Sequence, residues 1–119
     1  SAAHYKLDNL CAVVDRNRLQ ISGNTEDVMH HDDLHERFRS FGWHVIDVKN
    51  GNSIEELDAA FEEAKTVKGK PTVLIANTVK GCGSSVMENK ASWHHHVPDD
   101  EEYEQIMKDL EERKEAALK

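Results

Sequence analysis

Residues 72–78, TVLIANT, hold an unbroken apolar run at Val73–Ala76 and read as a fully buried strand, with Lys70-Pro71 before it and Lys80-Gly81 after it. A strand that buries one face alternates apolar with polar; a strand apolar at successive positions is buried on both faces, as in a parallel sheet covered by helices. Two further strand patterns stand upstream. Residues 43–48 follow Gly42, and residues 10–14 (LCAVV) stop at a polar Asp15-Arg16-Asn17 turn before apolar side chains return at Leu19 and Ile21. Helix patterns fill the gaps. Asp33 with Glu36 can cap a short helix bearing Leu34, Phe38 and Phe41 on one side. Ser53-Ile54-Glu55-Glu56 opens a second helix, with Ile54, Leu57, Phe61, Ala64 and Val67 at helical spacing. Residues 24–31 read as a polar connection. This alternation predicts an α/β fold, a parallel sheet with flanking helices, whose three strands (10–14, 43–48 and 72–78) are ordered by consecutive right-handed crossovers. After a long loop, Asp99 with Glu102 caps a final helix. Its stripe of Tyr103, Ile106, Met107 and Leu110 reads as packing against the sheet, and the charged tail 111–119 is expected to fray.

One domain is the natural count for 119 residues. Apolar residues make up 38% and charged residues 32%, and the apolar ones recur periodically, which excludes the disordered class. The formal net charge of −8, with much of the acid in 99–112, argues against nucleic acid or anionic membrane as partners, since both need concentrated positive charge. There is no charged-then-apolar leader and no apolar run of membrane-spanning length. Cys11 and Cys82 make no disulfide scaffold, so the expectation is a reducing cytoplasm.

Ligands of open parallel sheets bind beyond the carboxyl ends of the strands, where Asp15, Arg16 and Asn17 fall. Asn17 offers a neutral oxygen of the kind a hard cation accepts, although turn geometry alone also accounts for an Asn there. Gly81-Cys82-Gly83-Ser84 follows a strand, so its backbone could approach a phosphate. It lacks the third glycine of a dinucleotide fingerprint. Lys80 is either a phosphate partner or a surface lysine. Histidines cluster twice, at His30, His31 and His35 and at His94, His95 and His96. Neither group has the Cys or carboxylate spacing of a zinc site, and both read as mostly solvated polar residues.

The wording of these segments resembles the transketolase family. The resemblance is carried by Asp15-Arg16-Asn17-Arg18-Leu19-Gln20-Ile21-Ser22-Gly23, Phe41-Gly42-Trp43-His44-Val45-Ile46, Lys70-Pro71-Thr72, Thr78-Val79-Lys80-Gly81-Cys82-Gly83-Ser84 and Trp93-His94, in the family's order. The family's thiamine-diphosphate motif opens with Gly-Asp-Gly and closes at such an Asn. No Gly-Asp-Gly occurs in this sequence, and Ser1-Ala2-Ala3-His4-Tyr5 looks like the last turns of a helix feeding the first strand. The resemblance therefore implies that residues 1–119 are a partial thiamine-diphosphate-binding domain, with the metal-binding Asp upstream of Ser1. It implies a fragment, inactive alone, of an enzyme of pentose phosphate chemistry. The reaction is two-carbon ketol transfer between sugar phosphates, with thiamine diphosphate as electron sink and Mg2+ as its bridging ion. Complementary domains or a partner subunit would supply the activating glutamate, in a dimer. Residue by residue, the Asn17 side chain and the Leu19 carbonyl coordinate the magnesium. Ile21 lies against the pyrimidine ring, its alternative being a core strand residue. Gly81 and Gly83 line the cofactor. His94 reaches the phosphates and donates a hydrogen bond to negative charge developing on the reacting carbonyl oxygen. His95 stands where the family usually has Gly, and a bulky residue does not readily follow Gly into positive φ. A 1-deoxyxylulose-5-phosphate synthase shares much of this motif set, and a non-catalytic interaction module could keep the same fold.

Overall fold

The computed structural model describes residues 1–31 and 33–118. In chain order the elements are β1 (Cys11–Asp15), β2 (Leu19–Gln20), β3 (Gly23–Asn24), α1 (Thr25–Val28), α2 (Leu34–Ser40), β4 (His44–Val48), α3 (Ile54–Thr66), β5 (Thr72–Ala76), a 3-10 turn at Ala91–His94, and α4 (Asp100–Ala117). They group into two compact units: Ser1–Asn17 with His31–Thr78, and Arg18–His30 with Val79–Lys119.

In the first unit β5 lies between β1 and β4, parallel to both, with Cys11 and His44 each opposite Thr72 and Asp15 and Val48 each opposite Ala76. Parallel pairing is as the sequence predicts. The consecutive order is not, because the third strand enters between the first two. The strand that carries Val73, Leu74 and Ile75 takes the centre, where both of its edges are paired. All five residues of β5 are buried. β1 takes an edge and alternates: Cys11 and Val13 are exposed while Ala12 and Val14 are half-buried, so 10–14 is not the buried strand its apolar run suggests.

α3 covers this sheet. Ser53 Oγ accepts the Glu56 N–H at 3.3 Å, but the Glu56 carboxylate accepts from the Asn50 N–H at 2.9 Å, not from Ser53, so it ties down the preceding turn. Ala60 and Ala64 are buried with Ile46, Val48, Leu74 and Ala76, and Leu57 packs beside them. Small side chains bring the helix close. Ile54, placed on the same stripe by its spacing, is 79% exposed at the first helical position. Gly51 sits between β4 and α3 because a Cβ there would lie 2.7 Å from Thr78 Cγ2 and 2.9 Å from Ala76 Cβ. Asp33 caps α2 through the His35 and Glu36 amides, and Phe38 meets the Trp43 ring edge-on at 5.6 Å. Phe41, at the end of α2, is exposed and stands off the apolar side expected of it.

In the second unit β2 and β3 form a tight antiparallel hairpin with Ile21-Ser22 at its tip. Asn24 then caps α1 by accepting the Glu26 N–H at 3.1 Å, so the connection read at 24–31 contains a short helix. The capping box of α4 forms reciprocally between Asp99 and Glu102, as predicted. The helix continues through Ala117, so 111–117 are helical; Lys119 lies outside the described residues. No described residue of α4 is buried, and Tyr103, Met107 and Leu110 are each about half exposed. Their stripe is not core packing. Helical spacing shows that an apolar face exists and says nothing of what covers it.

Candidate functional site

At the carboxyl edge of the first unit's sheet the strand exits are tied together. The Thr78 hydroxyl donates to Asp15 Oδ1, and the Arg16 N–H donates to the Ala76 carbonyl at 2.8 Å. At the end of β4, Asp47 Oδ1 accepts from Asn77 Nδ2 at 3.1 Å and lies 2.8 Å from His35 Nε2. Asn77 Nδ2 also reaches the Val48 carbonyl at 3.0 Å. His35 Nδ1 is 3.3 Å from Asp33 Oδ1, and the ring is only about one-fifth exposed at 21%. The solvated histidine expected at 35 is instead a strut between the start of α2 and the end of β4. Partial burial pushes the Asp47 carboxyl up, but hydrogen bonds from His35 and Asn77, with the positive charges of His35 and Arg16, outweigh it and hold Asp47 below its ordinary value of 3.8. A depressed carboxylate contributes stability above its unfolded value, and that contribution is lost as pH falls through the folded value. Thermal melts taken downward from about pH 6 should therefore fall more steeply below about pH 4 for the native protein than for Asp47→Asn. Parallel curves would show that Asp47 contributes none of this dependence.

Asn17 is half-buried and is the last residue of the first unit, directly beyond the Asp15–Thr78 tie. The next residue, Arg18, has φ +64°, a left-handed conformation that a residue with a Cβ adopts at a cost of about 1–2 kcal/mol. Such outliers gather where the chain must aim a group.

Within the second unit, β2 packs against the 3-10 turn Ala91–His94. The structure thus brings Leu19 and Gln20 to the turn that carries His94. Trp93 is buried at the base of that turn and His94 is exposed. His95 has φ −126°, open to any L residue, so a side chain in the family's Gly position brings no strain here. Ile21, at the hairpin tip, is 63% exposed, which removes the alternative that it is a core residue. The loop at 81–85 is tightly wound. Its Cys82, Gly83, Ser84 and Ser85 amides donate to the Val79 carbonyl, the Glu88 carboxylate, the Gly81 carbonyl and the Asp109 carboxylate. A phosphate cradle of free amides is therefore not what these residues build. Gly81 has φ +69°, and a Cβ there would meet Met87 at 2.6 Å, so its glycine serves a close turn. Ser84 differs: it is buried, and its Oγ has no hydrogen-bond partner among the described residues. Lys80 is half-buried. Among the described residues no three His, Cys, Asp or Glu side chains gather to hold a metal ion, and His30 pairs with Glu26 at 2.7 Å.

Sequence reasoning missed the Asp15–Thr78 tie, the His35–Asp47–Asn77 network and the lone Ser84 hydroxyl. The first two join separate strand exits, which no local pattern reports. Burial of Ser84 within a Gly-rich loop gives no sequence signal.

The chain resembles known proteins over most of its length. One of the subunits of the apulose-4-phosphate transketolase of Phocaeicola vulgatus is 47% identical over 92% of this chain and 38% of that protein. The 6-deoxy-6-sulfo-D-fructose transketolase subunit SqwG of a Clostridium species is 36% identical over 89% and 38%. The transketolase of Campylobacter jejuni superimposes with a TM-score of 0.85 at 27% identity, covering 92% of this chain and 17% of its own. The chain thus spans about two-fifths of the length of the subunit relatives it matches. Among the described residues no helix is long and apolar enough to cross a membrane. Residues 1–116 match the family described as transketolase, thiamine diphosphate binding domain, and the chain belongs to that family.

Proposed function

We propose that the protein containing this chain is a magnesium-dependent, cytoplasmic transketolase of the pentose phosphate type, moving a two-carbon ketol unit between sugar phosphates. This chain is a partial cofactor-binding domain, and a complementary subunit completes a dimeric enzyme. The observation that supports it best is the packing of β2 against the His94 turn within one unit, which sets two motif segments distant in sequence side by side. The relatives and the solved structure above are transketolases, which favours this reading over a 1-deoxyxylulose-5-phosphate synthase. Two of those relatives are named as subunits, which supports a complementary partner.

The residues present fit thiamine diphosphate and Mg2+ in kind. Asn17 gives an amide oxygen and Leu19 a main-chain carbonyl, both hard neutral donors. Two residues apart, their Cα atoms are at most about 7 Å from each other by covalent geometry alone. Neither carries charge, so a diphosphate and a carboxylate would be needed to balance the charge of a doubly positive ion held there. The exposed Ile21 supports the pyrimidine side of the cofactor. Gly81 and Gly83 contribute the narrow shape of their loop, in which the buried Ser84 hydroxyl has no hydrogen-bond partner among the described residues. His94 donates a hydrogen bond to the diphosphate and to the reacting carbonyl oxygen. Bound there, the cofactor supplies the electron sink for cleaving the ketose carbon–carbon bond.

The test is a coupled assay of the full-length protein with its complementary subunit on a ketose phosphate donor and an aldose phosphate acceptor. Turnover should require both thiamine diphosphate and Mg2+ and vanish on chelation, and the 119-residue chain alone should give none. Turnover that survives removal of the cofactor, or by the isolated chain, overturns the reading.

A further inference from the structure

We infer that Glu102 is a positioning residue for the turn carrying His94, acting through His96; the inference rests on the role proposed above for His94. Glu102 Oε2 accepts the Asp99 N–H at 3.1 Å and lies 2.6 Å from His96 Nε2. Asp99 Oδ1 accepts the Glu102 N–H at 2.9 Å in return. One carboxylate therefore both closes the cap of α4 and holds an imidazole. On its other side the His96 ring meets the Trp93 ring edge-on, centroids 4.5 Å apart, and Trp93 is the buried residue next to His94. The α4 N-terminus is thus coupled to the His94 turn through Glu102, His96 and Trp93.

A cap by itself does not ask for this arrangement. The Asp99 N–H needs one acceptor, and a glutamine carbonyl serves as well as a carboxylate in a capping box. The charge on Glu102 is favoured by the positive end of α4, and it also faces the imidazole beside it, where a charged partner makes the shorter, stronger bond. The pair is partly exposed, His96 at 43% and Glu102 at 31%, so it adds little to global stability and acts on local order.

The experiment compares the full-length protein, assembled with its complementary partner, with the Glu102→Gln variant, whose amide oxygen keeps the bond from Asp99. Amide hydrogen exchange over 91–97 should become about fivefold faster, with α4 beyond its first turn unchanged. The kcat should fall by about the same factor while KM for the sugar phosphate holds. His96→Gln, which leaves the cap untouched, should reproduce both changes. Unaltered exchange over 91–97 in both variants overturns the inference, as does faster exchange with unaltered kcat where His94→Ala is impaired. If His94→Ala keeps full turnover while exchange over 91–97 still rises, the role of His94 fails and the hold of Glu102 on the turn stands.

Discussion

Replacing His94 by Ala in the full-length protein is expected to lower kcat by about a hundred- to a thousandfold while KM for the sugar phosphate changes by less than about threefold. The side chain stands exposed at the end of a 3-10 turn whose neighbour Trp93 is buried, so the imidazole can be removed without opening a cavity. Its proposed partner is negative charge that grows on the carbonyl oxygen as the reaction proceeds. A hydrogen bond of that kind is weak in the ground state and strong in the transition state, and losing it appears in kcat. His94→Gln keeps a donor and should recover part of the loss. Steady-state kinetics at saturating cofactor checks this; an effect confined to KM or to cofactor affinity would mean that His94 contacts only the diphosphate.

Much of the sheet is legible because burial on two faces leaves a mark on composition. The run Val73–Ala76 is apolar position after position, and its strand is the buried centre of the sheet. The run at 10–14 looks much the same, yet β1 is an edge strand with Val13 half exposed. A local pattern identifies a strand; which strand lies beside it is decided by non-local pairing, so the order β1-β5-β4 was out of reach. The α4 stripe fails as evidence for the same reason. The hairpin at Leu19–Asn24 and the helix at Thr25–Val28 are too short for any period to register.

The candidate site divides along a similar line. Asn17 and His94 stand in recognisable wording, and their local environments, a strand exit and an exposed turn, suit the roles given them. The side-chain pairs at the strand exits join residues far apart in the chain, as Asp15–Thr78 and Asp47–Asn77 do. His96–Glu102 is the exception. Its members flank a helix start that the Asp99 box announces, so a histidine three residues before the cap was a readable partner for the glutamate three residues after it.

Asn17→Ala should act on binding where His94→Ala acts on turnover. The affinity for thiamine diphosphate at a fixed magnesium concentration is expected to fall about a hundredfold, and the magnesium midpoint should rise in parallel. The fold should survive. The core is built by Val73, Leu74 and Ile75 of β5, and the exit of β1 is held by the Arg16 N–H to Ala76 and by Asp15 with Thr78. Saturating cofactor and metal should then restore most of kcat, because a ligand that holds the ion equally in ground and transition states contributes uniform binding. Asn17→Asp keeps an oxygen at the same reach and adds a negative charge, so it should retain metal but weaken the approach of the diphosphate. Calorimetric titration of cofactor at several magnesium concentrations, with thermal melts as the folding control, separates these outcomes. Normal cofactor affinity in a folded Asn17→Ala protein would remove Asn17 from the metal site and leave the Leu19 carbonyl without its proposed companion.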